Sequence, residues 1–107
     1  MARGGGLDDK DLYSGLIRIH LLHHAAHEGV FGLAVIEELG RHGYKLSPGT
    51  VYPILHGLER KGYLRSTEQG TGRSRRRVYR ATAQGRKALR VAKERVRELF
   101  GELLEDG

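Results

Sequence analysis

The sequence predicts a mainly α fold with one β-hairpin, a winged helix-turn-helix extended by a long C-terminal dimerisation helix. Three observations lead there. A proline-led amphipathic helix follows a glycine-marked turn; two short strand-like runs bracket an arginine-rich loop; and the final stretch repeats apolar side chains in alternating steps of three and four. With 107 residues the chain amounts to one small domain. A core of that size leans readily on a partner subunit. The chain has no cysteine, which excludes a disulfide framework, a thiolate metal site and a cysteine nucleophile. The longest uncharged apolar run, Val30 to Ile36, falls far short of the ~20 residues of a membrane span. The first residues carry no secretion-type apolar segment, so a cytoplasmic protein is expected.

Residues 1–7 read as a disordered tail, residues 8–82 as a winged helix-turn-helix DNA-binding domain, and residues 83–107 as a C-terminal dimerisation helix. The first helix opens on Asp8, Asp9 and Asp11, acids suited to a positive helix end. Leu12, Leu16, Ile19, Leu22 and Ala26 recur along it at helical spacing, and Ile17, Leu21 and Ala25 widen the apolar arc. A helix apolar on several sides is buried on several sides, which again suggests a partner. A second helix is expected from about Val30 to Arg41, with Gly32, Val35, Ile36 and Leu39 inward and Gly40 and Gly43 as its stop.

In the third helix Ser47 is a natural N-cap and Pro48 a natural first residue, since proline lacks an N–H that would have had no partner there. Val51, Ile54, Leu55 and Leu58 make one apolar face. The opposite face carries Gly49, Tyr52, Pro53, His56 and Arg60. Tyr63–Glu68 and Arg77–Ala81 read as a hairpin around the loop 69–75. Thr82 then caps a helix reaching about Leu104, whose Leu89, Ala92, Val96, Leu99 and Leu103 form a heptad seam suited to a second copy. Two helices joined by a short glycine turn and followed by a hairpin match a winged helix-turn-helix.

Charge is segregated along the chain. Residues 1–44 carry four basic and six acidic side chains, residues 45–97 fifteen basic and three acidic, and the last ten residues four acids and no base. A localised positive field is what a polyanion surface needs, because each neutralised phosphate releases counterions. Four arginines, Arg73, Arg75, Arg76 and Arg77, fall within five wing positions. Beside a recognition helix they suit phosphate contacts or insertion into a minor groove. A wing that docks an acidic protein is the competing use, and an apolar tip would suit that better. No nucleophile elbow, His-Glu-x-x-His pattern or phosphate-loop glycine motif occurs, so no enzymatic activity and no cofactor are expected.

His20, His23, His24 and His27 stand on one stripe of the first helix. Pairs at i, i+4 can share a divalent metal ion. Four histidines on a packed, partly wet face account for the same pattern, since a metal site needs its remaining ligands as well.

The span Ser47–Leu64, Ser-Pro-Gly-Thr-Val-Tyr-Pro-Ile-Leu-His-Gly-Leu-Glu-Arg-Lys-Gly-Tyr-Leu, closely resembles the recognition-helix signature of the PadR family of transcriptional regulators. Arg76–Gly85 resembles that family's second wing strand and the start of its last helix. The resemblance extends over about residues 12–104, and the length is similar to the short subfamily, which dimerises through its single C-terminal helix and helix one. It implies a homodimeric repressor of double-stranded DNA, relieved by a small aromatic or lipophilic compound between subunits. It assigns DNA contact to Ser47, Thr50, Tyr52 and the wing arginines. Pro53 and His56 join them on the face read above. Where family members often have His-Gly-Tyr at the start of helix two, this chain has Phe31-Gly32-Leu33. In the dimers it resembles, helix one lies near the partner's C-terminal helix, which here ends in Glu98, Glu102, Glu105 and Asp106. Imidazole facing carboxylate across such an interface suits a divalent metal or a proton-sensitive contact.

Overall fold

The structure, a computed structural model, describes residues 10–106, with the side chains of residues 11–105. The expected tail at 1–7 and the helix start at Asp8 lie outside the described residues. The elements run α1 (Lys10–His27), α2 (Gly32–Arg41), α3 (Pro48–Arg60), β1 (Leu64–Gln69), a 3₁₀ turn (Gly72–Ser74), β2 (Arg76–Ala81) and α4 (Ala83–Asp106). The strands pair antiparallel, Leu64 opposite Ala81 and Gln69 opposite Arg76. No helix among the described residues is long and apolar enough to cross a membrane.

One core forms where the helices meet the hairpin. Val51, Ile54, Leu55 and Leu58 of α3 bury the apolar face expected of them. Val35 and Leu39 come from α2, Leu64 from β1, and Tyr79, only 1% exposed, from β2. On α1 the core takes Ile17, Leu21, Leu22 and Ala25. Leu12, first in the expected stripe, is exposed, and Leu16, Ile19 and Ala26 are half-buried. The chain's own core thus uses the side of α1 that sequence periodicity ranks second, and leaves much of the first side uncovered.

Several boundaries differ for local reasons. Helix α2 starts at Gly32 rather than Val30 because Val30 is drawn into a β-bridge: its N–H donates to Tyr79 O at 2.9 Å and its carbonyl accepts from Tyr79 N at 2.7 Å. Strand β1 starts at Leu64, since the Tyr63 N–H closes α3 by donating to Leu58 O at 3.0 Å. Ser47 occupies the N-cap of α3 without a side-chain capping bond. The Thr50 N–H donates instead to the Ser47 carbonyl at 3.0 Å, which does the work expected of the hydroxyl. Thr82 does cap α4: its Oγ1 accepts from Gly85 N at 3.0 Å and donates to Gly62 O at 2.6 Å, tying the last helix to the end of the recognition turn.

Helix α4 has two halves. Leu89, expected in an intersubunit seam, is 5% exposed and belongs to the chain's own core, because α4 first packs along α1 and β2. Ala92 and Val96 are half-buried. Beyond them Leu99, Leu103 and Leu104 stand 62%, 65% and 79% exposed, on a stretch that no element among the described residues covers.

Candidate nucleic-acid interface

The surface beside the wing is built from three segments. The α3 N-terminus presents Ser47, Pro48 and Gly49, all exposed, with Pro53 and His56 exposed one and two turns further along. The hairpin places the exposed Arg73, Arg75, Arg76 and Arg77 alongside. Between them runs a groove of about 400 Å³, lined by Phe31, Gly32 and Leu33 of the α2 start, Tyr52 of α3, and wing residues 73–77.

Tyr52 is not the exposed side chain its sequence position suggests. It is half-buried, and its ring lies so close over Gly32 that any Cβ there would overlap it. Gly32 is therefore required by close approach of a ring, and Tyr52 locks α3 against α2. Thr50 is half-buried at the same end of the helix. The His56 ring lies 6.3 Å from Tyr52 and 6.4 Å from Tyr79.

The four wing arginines divide into two kinds. Arg77 donates to Ser66 Oγ at 3.1 Å and to Glu68 Oε2 at 3.4 Å, and Arg75 approaches Glu68 Oε1 at 3.7 Å. Ser66 in turn donates through its hydroxyl and its backbone N–H to Glu59 Oε2, at 2.7 and 3.2 Å. That chain fastens the wing to the C-terminal turn of α3. Arg76 sits with its guanidinium carbon 4.5 Å from the centroid of the Phe31 ring, a cation–π arrangement that fixes its direction and leaves its N–H donors available. Arg73, in the 3₁₀ turn, makes no side-chain hydrogen bond or ion pair among the described residues.

Residues 21–91, the span holding this whole arrangement, match the model of the transcriptional regulator PadR-like family. The chain belongs to the PadR-like family of transcriptional regulators. It is 45% identical over 95 residues to the transcriptional regulator Rv3488 of Mycobacterium tuberculosis, a match covering 89% of each protein. It is 40% identical over 75 residues to the transcriptional activator GvpE of Haloferax mediterranei; that match takes in 69% of this chain but only 37% of the longer protein. A PadR family regulator from Eggerthella lenta has the same fold, with a TM-score of 0.77 at 30% identity over 91% of this chain and 88% of that one. A PadR-like regulator from Bacillus cereus superposes with a TM-score of 0.81 at 21% identity, covering 89% and 94%.

On this PadR-like frame the residues singled out in the sequence separate by role. Ser47, Pro53, His56, Arg73 and Arg76 lie open on one side of the molecule, whereas Tyr52 and Arg77 are engaged in holding α2, α3 and the wing together. Phe31 and Leu33 were not among the expected site residues. The signal was present in the apolar Phe-Gly-Leu that opens the second helix.

The histidine stripe also divides. His20 and His23 face a cleft of about 280 Å³ between α1 and α4, with Leu16, Ile19, Tyr44, Lys93, Val96 and Phe100. Lys93 is the one charged α4 residue among those that line that cleft. His27 is exposed, and its Nδ1–H donates to His23 O at 3.0 Å. Burial, reinforced by the neighbouring His27 and by Lys93, lowers the His23 pKa.

The Gly32–Tyr52 contact makes a testable pair. Gly32→Ala should destabilise the fold by ~1–3 kcal/mol through overpacking. Removing the ring as well, in Gly32→Ala with Tyr52→Ala, should cost less than the sum of the single changes by at least ~0.5 kcal/mol. Urea unfolding of the four proteins measures this, and strictly additive losses would show that the two residues do not bear on each other.

Proposed function

We propose that the chain is a sequence-specific, double-stranded-DNA-binding repressor acting as a homodimer, with α3 in the major groove and the wing on flanking phosphates. The observation that carries this reading is the union, on one surface, of the exposed α3 start with Arg73 and Arg76, two arginines that no carboxylate among the described residues neutralises. Arginines held by carboxylates shape a wing; arginines left open can replace the counterions of a phosphate backbone. In helix-turn-helix proteins the second helix of the motif reads base edges and the remaining contacts fix register.

The dimer is supported by the outer half of α4, where Leu99, Phe100, Leu103 and Leu104 form a contiguous exposed apolar stripe. A surface helix of one chain has no reason to carry such a stripe in water, and a second copy supplies a matching one. The half-open apolar cleft between α1 and α4 lies next to that stripe through Phe100. Completed by a partner subunit, it suits a small aromatic or lipophilic effector whose binding alters the spacing of the two recognition helices.

Two measurements test the reading. Arg73→Ala and Arg76→Ala should each weaken binding to all DNA and reduce the salt slope by about one unit. Thr50→Ala or His56→Ala should lower the ratio of operator to random-DNA affinity, by about tenfold where a base contact is lost. Fluorescence anisotropy at several salt concentrations separates the two, and equal behaviour of the two groups would contradict the assignment of roles. Separately, Leu99→Asp places a charge in the proposed seam, at a cost of several kcal/mol if the pair stays closed. Sedimentation should then show monomer, and an undiminished dimer would remove α4 from the interface.

A further inference from the structure

One cluster of ligand-type side chains lies apart from the wing and touches the α1–α4 cleft only through His20. His20 and His24 are one turn apart on α1, Glu38 lies in the second half of α2, and His42 follows immediately after that helix. The fold brings all four together. The His20 ring stacks on His24 with centroids 4.9 Å apart, and lies 4.8 Å from the His42 ring. Glu38 Oε2 accepts from His42 Nε2 at 3.2 Å and stands 3.7 Å from His24 Nε2. Arg41 occupies the other carboxylate oxygen, Oε1. His24 Nε2 is shielded from solvent and has no hydrogen-bond partner, an unsatisfied polar atom of the kind that native folds rarely retain without a use.

We propose that His24, Glu38 and His42, with His20 as a further ligand, form a site for a divalent transition metal ion of the Zn²⁺ type, joining α1 to the first helix of the helix-turn-helix. A tetrahedral zinc ion with bonds of about 2.0–2.1 Å keeps its ligand atoms roughly 3.3 Å apart. The separations from Glu38 Oε2 to the two imidazole nitrogens, 3.2 and 3.7 Å, bracket that spacing. Imidazole nitrogen with one carboxylate oxygen favours zinc, nickel, cobalt or copper over magnesium and calcium, which select oxygen donors. Among the described residues no three ligand-type side chains are already arranged to hold an ion, so the site closes on binding. His20 rotates inward, and the His42 proton moves from Nε2 to Nδ1, which keeps that ring neutral and frees a lone pair.

The structure replaces the ligand set that helical spacing alone offers. The rings of His23 and His27 lie 4.3 Å apart, Lys93 lies beside His23, and no carboxylate among the described residues forms an ion pair with either. Glu38 and His42 come from another element, and they supply the further ligands that the stripe lacked.

The test is calorimetric titration of untagged, chelator-stripped protein with Zn²⁺, with Co²⁺ visible absorption as a second readout. One ion per chain should bind with a Kd of about 10 µM or tighter. Affinity should fall at least about tenfold in each of His24→Ala, His42→Ala and Glu38→Gln, the last two at solvent-accessible positions where folding is undisturbed. The double variant His23→Ala, His27→Ala should bind as the parent does. A Kd weaker than about 100 µM, or loss of binding in the His23/His27 variant with retention in His42→Ala and Glu38→Gln, overturns the proposal. The readout is ion binding alone, so it stands or falls independently of the DNA-binding reading.

Discussion

Two backbone hydrogen bonds between Val30 and Tyr79 hold the wing to the helical body, and most of the molecule's geometry follows from them. A two-stranded hairpin alone is only marginally stable in water. Here its second strand is anchored at Tyr79, the largest of the fully buried side chains, and the bridge spends the backbone groups of both residues. Burial, with Glu59 nearby, raises the Tyr79 phenol pKa, so the ring remains neutral within the core. The approach is possible because Gly29 has no side chain: a Cβ there would run into Val78. The next residue after the bridge is Phe31, which is thereby set beneath Arg76.

From that anchor the charges of the basic region acquire separate tasks. Glu59, Ser66, Arg77 and Glu68 form a connected polar chain from the end of α3 into the wing. The Arg77 pairs are exposed and individually weak, but the part-buried Glu59–Ser66 bonds join them to the helix, and the chain as a whole fastens the hairpin to it. Arg73 and Arg76 are left outside the chain. A basic loop that looks uniform in sequence is thus part scaffold and part open charge. The same economy governs α4, whose inner half completes the core through Leu89 while its outer half carries apolar side chains that the single chain leaves in water.

Periodicity made the helices legible. Val51, Ile54, Leu55 and Leu58 face inward because a helix offers them no other common side, and the hairpin follows from two β-rich runs around glycines. The features that sequence did not reveal all depend on contacts between distant segments. Tyr52 reads as an exposed aromatic until the α2 glycine it covers is brought against it. Leu89 fits a heptad equally well whether it meets its own core or a partner's helix. On α1, two apolar stripes are present; the core took Ile17, Leu21 and Ala25 from the one that periodicity ranks second, and only Leu22 from the first. Glu38 and His42 look like ordinary surface residues until packing of α2 on α1 places Glu38 beside His24 and the His42 ring beside His20.

The central claim is that two copies of the α3-and-wing surface read DNA together. Selection of bound fragments from a random double-stranded DNA library by the full chain tests it most directly. The account predicts an enriched inverted repeat whose half-site centres are separated by about one helical turn, 10–10.5 base pairs, or a multiple of it. Enrichment of a single unpaired half-site, or none above the background of electrostatic binding, would contradict it.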